Sequence, residues 1–265
     1  MQTREIYYSG DQQVALENEI IRTLAGSEVV GMALGGQEDR DEIGVYIETP
    51  EQLLGLTPTA GSYVARTQPD GVRSGAGDVD LNMYSLRKYM QLAVAGNPSI
   101  LTLLFAPESA IINCTPLGHE LRALTPSILS KNAGYRHLGY LDGQRERMIG
   151  LGKQRRVPNR PELIEKYGYD TKYASHALRL GMQGIELVTS GKLTLPMPSE
   201  SLDMCMRVKC GEVSFDIALD WVDRTRAVLS SVIKTSDVLP DSPDRDQING
   251  WMRRATQNHW WWKNQ

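Results

Sequence analysis

In three places in the first half of the chain, apolar and polar positions alternate with a two-residue period rich in β-branched and aromatic residues: 19–25, 42–48 and 79–84. That period predicts three short strands. Ser85 is placed to cap a helix over 86–95, which Gly96-Asn97-Pro98 stops, and a second helix follows over 99–105. From Leu117 onward the apolar spacing turns helical, with segments near 117–124, 132–151, 170–190 and 213–234, the third ending at Gly191. No internal repeat interrupts this order. The pattern predicts an α/β (α+β) chain, with a core of strands and helices over 1–115 and a mainly helical domain over 116–265. The stretch 152–161 (GKQRRVPNRP) reads as a linker.

Composition narrows the class. With 265 residues, 41% hydrophobic and 23% charged, the chain has the length and apolar content of one large or two moderate globular domains. No apolar run approaches the ~20 residues that span a bilayer, and the polar start MQTREIYYSGDQQ has no signal-like apolar region. A cytoplasmic protein with no membrane partner is the expectation. Cys114, Cys205 and Cys210 are scattered as reduced thiols would be, and Cys205 with Cys210 lacks the second ligand pair that a zinc site needs.

A formal net charge of -3 hides an asymmetry: residues 1–130 carry 8 Lys+Arg against 16 Asp+Glu, while residues 131–179 carry 11 against 5. Solvated helix faces of opposite sign account for this. So does a site with metal-binding carboxylates on one part and phosphate-binding cations on the other.

The acidic part contains two Asp-x-Asp pairs. Asp39 and Asp41 lie two apart just before the second strand and in an extended conformation share one face, and Asp78 and Asp80 repeat the arrangement at the third. Like charges held side by side repel unless a cation neutralises them, and Mg²⁺ or Mn²⁺ takes a few carboxylates together with phosphate oxygens. A solvated loop is the plain alternative for the run EDRDE. Gly26-Ser27, at the end of the first strand, adds context: a residue with free φ followed by a hydroxyl lets backbone N–H groups and an Oγ approach phosphate. Three carboxylates on neighbouring strands beside such a turn form the constellation that two-metal nucleotidyl transfer requires. Asp39, Asp41 and Asp80 are the candidate catalytic and metal-binding residues, with Asp78 as a further metal ligand.

Gly26-Ser27, Gly31 and the run Asp39-Arg40-Asp41-Glu42-Ile43-Gly44-Val45-Tyr46 resemble the signature of the DNA polymerase beta nucleotidyltransferase superfamily. Within it, Tyr84-Ser85-Leu86-Arg87-Lys88-Tyr89, Gly96-Asn97-Pro98 and the segment from Tyr169 to His176 are similar to the RlaP family, linked with RNA repair. The resemblance covers roughly residues 20–250. It implies a polymerase-beta-type core with a mixed sheet, an NTP such as ATP as co-substrate, Mg²⁺ or Mn²⁺, and transfer of NMP to a hydroxyl acceptor with release of pyrophosphate. An RNA end is the implied acceptor. The same core supports transfer to a protein or small molecule, or nucleotide sensing without turnover.

In the basic part Lys172, His176 and Arg179 recur at i, i+4 and i+7, one face of a helix. They read either as a solvated face or, with Lys131 beside Ser130, Gly26 and Ser27, as the nucleotide-binding set that the resemblance favours. Arg136 and Arg147 fall on a second stripe with Tyr140 and Gln144, and with Lys153, Arg155 and Arg156 they are the candidate RNA contacts. Trp260-Trp261-Trp262 reads as a tail whose indoles dock on the protein body or a neighbouring subunit. His119 and His137 read as ordinary surface or hydrogen-bonded histidines, and Met182, Met204 and Met206 as core filler.

Overall fold

A computed structural model describes residues 7–35, 39–56, 59–68, 74–151 and 160–263. The first half runs β1 (Tyr7–Ser9), α1 (Gln12–Glu17), β2 (Glu19–Leu24), α2 (Gly26–Val30), β3 (Arg40–Tyr46), α3 (Pro50–Leu54), β4 (Ser62–Arg66) and β5 (Val79–Ser85). It continues with α4 (Leu86–Val94), α5 (Pro98–Phe105), β6 (Ile111–Cys114), α6 (Pro116–Ala123) and α7 (Thr125–Ile128). Then come α8 (Lys131–Met148), α9 (Pro161–Tyr167), α10 (Thr171–Ser190), α11 (Ser199–Lys209), α12 (Phe215–Thr235) and α13 (Arg245–Lys263). The architecture is α+β. Among the described residues no helix is long and apolar enough to cross a membrane.

Two compact units emerge. One comprises 1–94, 99–128 and 243–265, the other 95–98 and 129–242. The C-terminal helix belongs to the first unit.

The first unit is built on a six-stranded sheet in the order β1-β4-β5-β3-β2-β6. β3 and β5 are parallel, and every other pairing is antiparallel, so the sheet is mixed. β3 is central, and from Glu42 to Tyr46 each residue is buried, as expected for a strand with neighbours on both sides and cover on both faces. β5 alternates instead, sending Leu81 and Met83 into a core with Ala15, Tyr46 and Tyr63. Ser85 caps α4 as the sequence predicts: its Oγ accepts from the Lys88 N–H at 3.3 Å.

The C-terminal segment is a full helix of this unit, not only a tail. Trp251 is buried and its Nε1 donates to Glu120 Oε2 at 2.8 Å, while Trp260 Nε1 donates to the Glu48 carbonyl at 3.1 Å. His259 Nε2 lies 2.9 Å from Asn18 Oδ1.

In the second unit α10 packs between α8 and α12 along a seam of small and apolar residues that includes Ala174, Ala177 and Leu178. His137, on α8, is buried with Nδ1 2.8 Å from the Ala133 carbonyl. Gly96 has φ +79°, and a Cβ there would stand 2.5 Å from the Ala133 backbone, which explains a glycine in the Gly96-Asn97-Pro98 turn. Met182, Met204 and Met206 are half-buried rather than core residues. All three cysteines are free.

Candidate active site

The parallel pair β3 and β5 sets the register of the carboxylates. Asp41 and Asp80 are direct partners across the two strands, each one residue inside the amino end of its strand. Asp39 lies two residues before Asp41 and returns to the same face. The outcome is a half-buried trio, Asp39, Asp41 and Asp80, each with an oxygen within 4.8 Å of the others'. Alternation sends Glu42 to the opposite face, where Arg22 Nη1 (3.1 Å) and Arg40 Nε (2.7 Å) neutralise it. Arg66 Nε is 3.7 Å from Asp80 Oδ1, and Gln68 Nε2 and Ser74 Oγ each donate to Asp80 at 2.8 Å. One bond per oxygen orients the Asp80 carboxylate and leaves lone pairs for a cation.

Asp78 is used differently. Its Oδ1 accepts from Thr67 Oγ1 and its Oδ2 from the Gly75 N–H, both at 2.9 Å, so it organises the loop that leads into β5. Among the described residues the group able to hold a metal contains Asp80 and not Asp78.

Gly26 opens α2 with φ +64°, and a Cβ at this position would lie 1.9 Å from Asp41 Oδ2. The Asp41 carboxylate therefore rests against the glycine Cα, and the Ala25 N–H bonds the Asp41 carbonyl at 2.9 Å to fix that approach. Ser27 follows in the first turn and is half-buried. The donor set is all carboxylate oxygen, the chemistry that suits hard divalent cations such as Mg²⁺ or Mn²⁺.

In the second unit, Lys172, His176 and Arg179 share a face of α10, and Lys209 and Arg160 join them. The His176 imidazole is pushed down to about 3, first by burial and then by Arg179, Lys172, Arg160 and Lys209. Arg179 donates to Gln183 Oε1 at 3.0 Å and is ion-paired with no carboxylate among the described residues. The Gln183 Nε2 is buried without an acceptor. Donors in excess of acceptors favour an anion. Asp170 is the acid nearby, and it is occupied as the N-cap of α10 and by Arg160 at 3.3 Å.

The other predicted contacts are dispersed within this unit. The Lys131 ammonium is 2.9 Å from Asp241 Oδ1. Arg136 donates to the Ala95 carbonyl at 3.3 Å, and Arg147 and Arg160 sit over the Tyr173 ring at 5.8 and 5.1 Å. Lys153, Arg155 and Arg156 lie outside the described residues.

The profile of the RlaP family, described as an RNA repair pathway DNA polymerase beta family, matches residues 12–214. The chain belongs to the RlaP family. No curated protein matches the sequence. Among solved structures, a nucleotidyltransferase-like protein from Exiguobacterium sibiricum 255-15 shares 10% identity over 84% of this chain and 71% of that one, with a TM-score of 0.30.

Membership of RlaP makes the chain a polymerase beta-type nucleotidyltransferase. Around the trio of this RlaP protein, sequence reasoning missed Arg66, Gln68 and Ser74, which come from β4 and the loop after it. Lys209 and Gln183 were missed on the cationic face. Gln183 follows Arg179 by four residues on α10, a spacing that carries the signal.

The cationic face makes a pH prediction. Between His176's ordinary 6.5 and its folded value of about 3, the unfolded chain binds a proton that the folded chain refuses, so stability falls as pH drops through that window. His137, lowered to about 4 by burial, acts in the same direction. Melts between pH 7 and 4 should fall steeply in the parent chain and less steeply in His176→Gln. An identical slope in the variant would mean that His176 is not held neutral by its neighbours.

Proposed function

We propose that this chain transfers NMP from an NTP to a hydroxyl at an RNA end, releasing pyrophosphate, with Mg²⁺ or Mn²⁺ held by Asp39, Asp41 and Asp80. The observation that carries the reading is the convergence of these three carboxylates within 4.8 Å at the amino ends of two parallel strands. A bound divalent ion supplies charge neutralisation at the α-phosphorus and lowers the pKa of the attacking hydroxyl. The protein's own groups do the rest. Asp39 and Asp41 present oxygens on one face of β3, and Gly26 admits the Asp41 carboxylate to its place. Asp80, oriented by Gln68 and Ser74, takes up the proton of the attacking hydroxyl at a carboxylate oxygen. Gly26 and Ser27 offer backbone N–H groups and an Oγ to phosphate. Lys172, Arg179 and the neutral His176 offer donors to a polyphosphate.

The RNA acceptor is supported by the family's description and by the excess of Lys and Arg over residues 131–179. The full chain incubated with α-labelled NTP, total RNA and cell protein tests it. Label should appear in material that ribonuclease destroys and protease does not. Label resistant to ribonuclease and lost to protease would assign the acceptor to protein. Nucleotide binding without pyrophosphate release under either metal would make the chain a sensor.

A further inference from the structure

A second concave surface lies at the other end of the parallel pair. The carboxylate trio sits at the amino ends of β3 and β5. Glu48 and Leu86 lie just past their carboxyl ends, about 20 Å away along a seven-residue strand. There α3, α4 and α13 enclose a groove of about 1090 Å³, slightly above the usual ~300–1,000 Å³ range of small-molecule pockets. Its wall mixes polar and charged residues with an apolar part made by Leu54, Met90, Met252 and Trp260, of which Leu54 is 80% exposed and Met90 buried. A large apolar side chain such as Leu54 left in water beside a concavity marks contact with a partner, and Met, Trp and Arg are the residue types such contacts favour.

Charge narrows the partner. Arg87, Arg245 and Arg253 line the groove, and none is ion-paired with a carboxylate among the described residues. Glu48 also lines it, 5% exposed, with no hydrogen bond or ion pair from a described residue reaching its carboxylate. Asp246 is the other acid of the lining. Three exposed guanidinium groups beside the apolar part of the wall complement carboxylates flanking apolar side chains, and Glu48 offers an acceptor for an incoming N–H or hydroxyl. A polynucleotide fits less well, because among the described residues Trp260 is the one aromatic ring of the lining, too little to stack successive bases.

We infer that this groove docks an amphipathic segment of a partner protein, apolar along one face and acidic at its edges, in the helix-in-groove mode. The inference is independent of the acceptor assigned above, and its readout is binding rather than transfer.

Peptides of about 16 residues, roughly four helical turns, displayed at random and selected on the full chain, test the assignment. The expected consensus places apolar residues at i, i+3 or i+4 and i+7, with Asp or Glu beside them. Affinity for a synthetic consensus peptide, read by fluorescence anisotropy, should fall about tenfold or more in Leu54→Asp and in the pair Arg87→Glu, Arg253→Glu. These positions are exposed, so the melts should not move. A peptide with its acids changed to Lys should regain binding to the Arg→Glu pair. Selected peptides without that pattern, or binding indifferent to both variants, would overturn the inference. So would displacement of the peptide by a single-stranded oligouridylate, or self-association of the chain abolished by Leu54→Asp, which would give the groove to RNA or to a second copy.

Discussion

Asp41→Asn is expected to lower NMP transfer by about three orders of magnitude or more while leaving the thermal midpoint unchanged or slightly raised. The amide keeps the shape of the side chain and the β3 ladder that aligns Asp41 with Asp80, so the fold has no reason to yield. What disappears is one anion of a trio whose oxygens lie within 4.8 Å of one another. In the absence of divalent cation that removal relieves repulsion. In its presence, it removes a ligand, so the rise in midpoint on adding Mn²⁺ or Mg²⁺ should shrink. Glu42→Gln is the contrast. It changes the next residue of the same strand on the opposite face, where Arg22 and Arg40 would lose their counter-charge. That variant should lose stability and keep its response to divalent ions. Normal NMP transfer by Asp41→Asn would remove the carboxylate trio from the mechanism.

The parts of this site that the sequence made legible are those governed by local periods. Two-residue spacing put Asp39 with Asp41 on one face, and the i, i+4, i+7 spacing put Lys172, His176 and Arg179 on one face of α10. The choice between Asp78 and Asp80 was not legible, because both obey the same period. What separates them in the structure is that Asp78 accepts from Thr67 Oγ1 and the Gly75 N–H while Asp80 lies beside Asp39 and Asp41, a difference with no local signature. β4 and β6 were missed for a related reason: five and four residues long, they gain their strand character from neighbours rather than from pattern. The parallel alignment of β3 with β5 depends on α3 and β4 intervening, so neither strand announces it. α13 was legible in principle. Ile248, Trp251 and Ala255 recur at three and four residues and are buried, but the polar residues between them and the run of tryptophans disguised a helix as a tail. Gly26 shows the remaining limit. Its conformational freedom was visible, but the atom it makes room for, Asp41 Oδ2, belongs to β3, fifteen residues further along the chain.

That last contact makes Gly26→Ala the sharpest steric test of the site. Two separate penalties meet at this residue. A φ of +64° disfavours any L side chain, by about 1 kcal/mol, and the new methyl would stand 1.9 Å from Asp41 Oδ2. Asp41 has only a side-chain rotation with which to escape, because its carbonyl is tied to the Ala25 N–H and its strand to Asp80. The carboxylate must swing out of the trio, and divalent affinity and NMP transfer should fall together, transfer by about a hundredfold. Isothermal titration with Mn²⁺ alongside the transfer assay reads both. Gly96→Ala provides the control for backbone strain alone: it too has positive φ and a close contact, 2.5 Å from the Ala133 backbone, but in the helical unit. It should destabilise that unit and spare the metal response. In an Asp41→Asn background the further loss from Gly26→Ala should nearly vanish, since the two changes act on one carboxylate and such effects do not add. Gly26→Ala binding Mn²⁺ and transferring NMP like the parent chain would mean that the approach of Asp41 to α2 has no part in assembling the metal ligands.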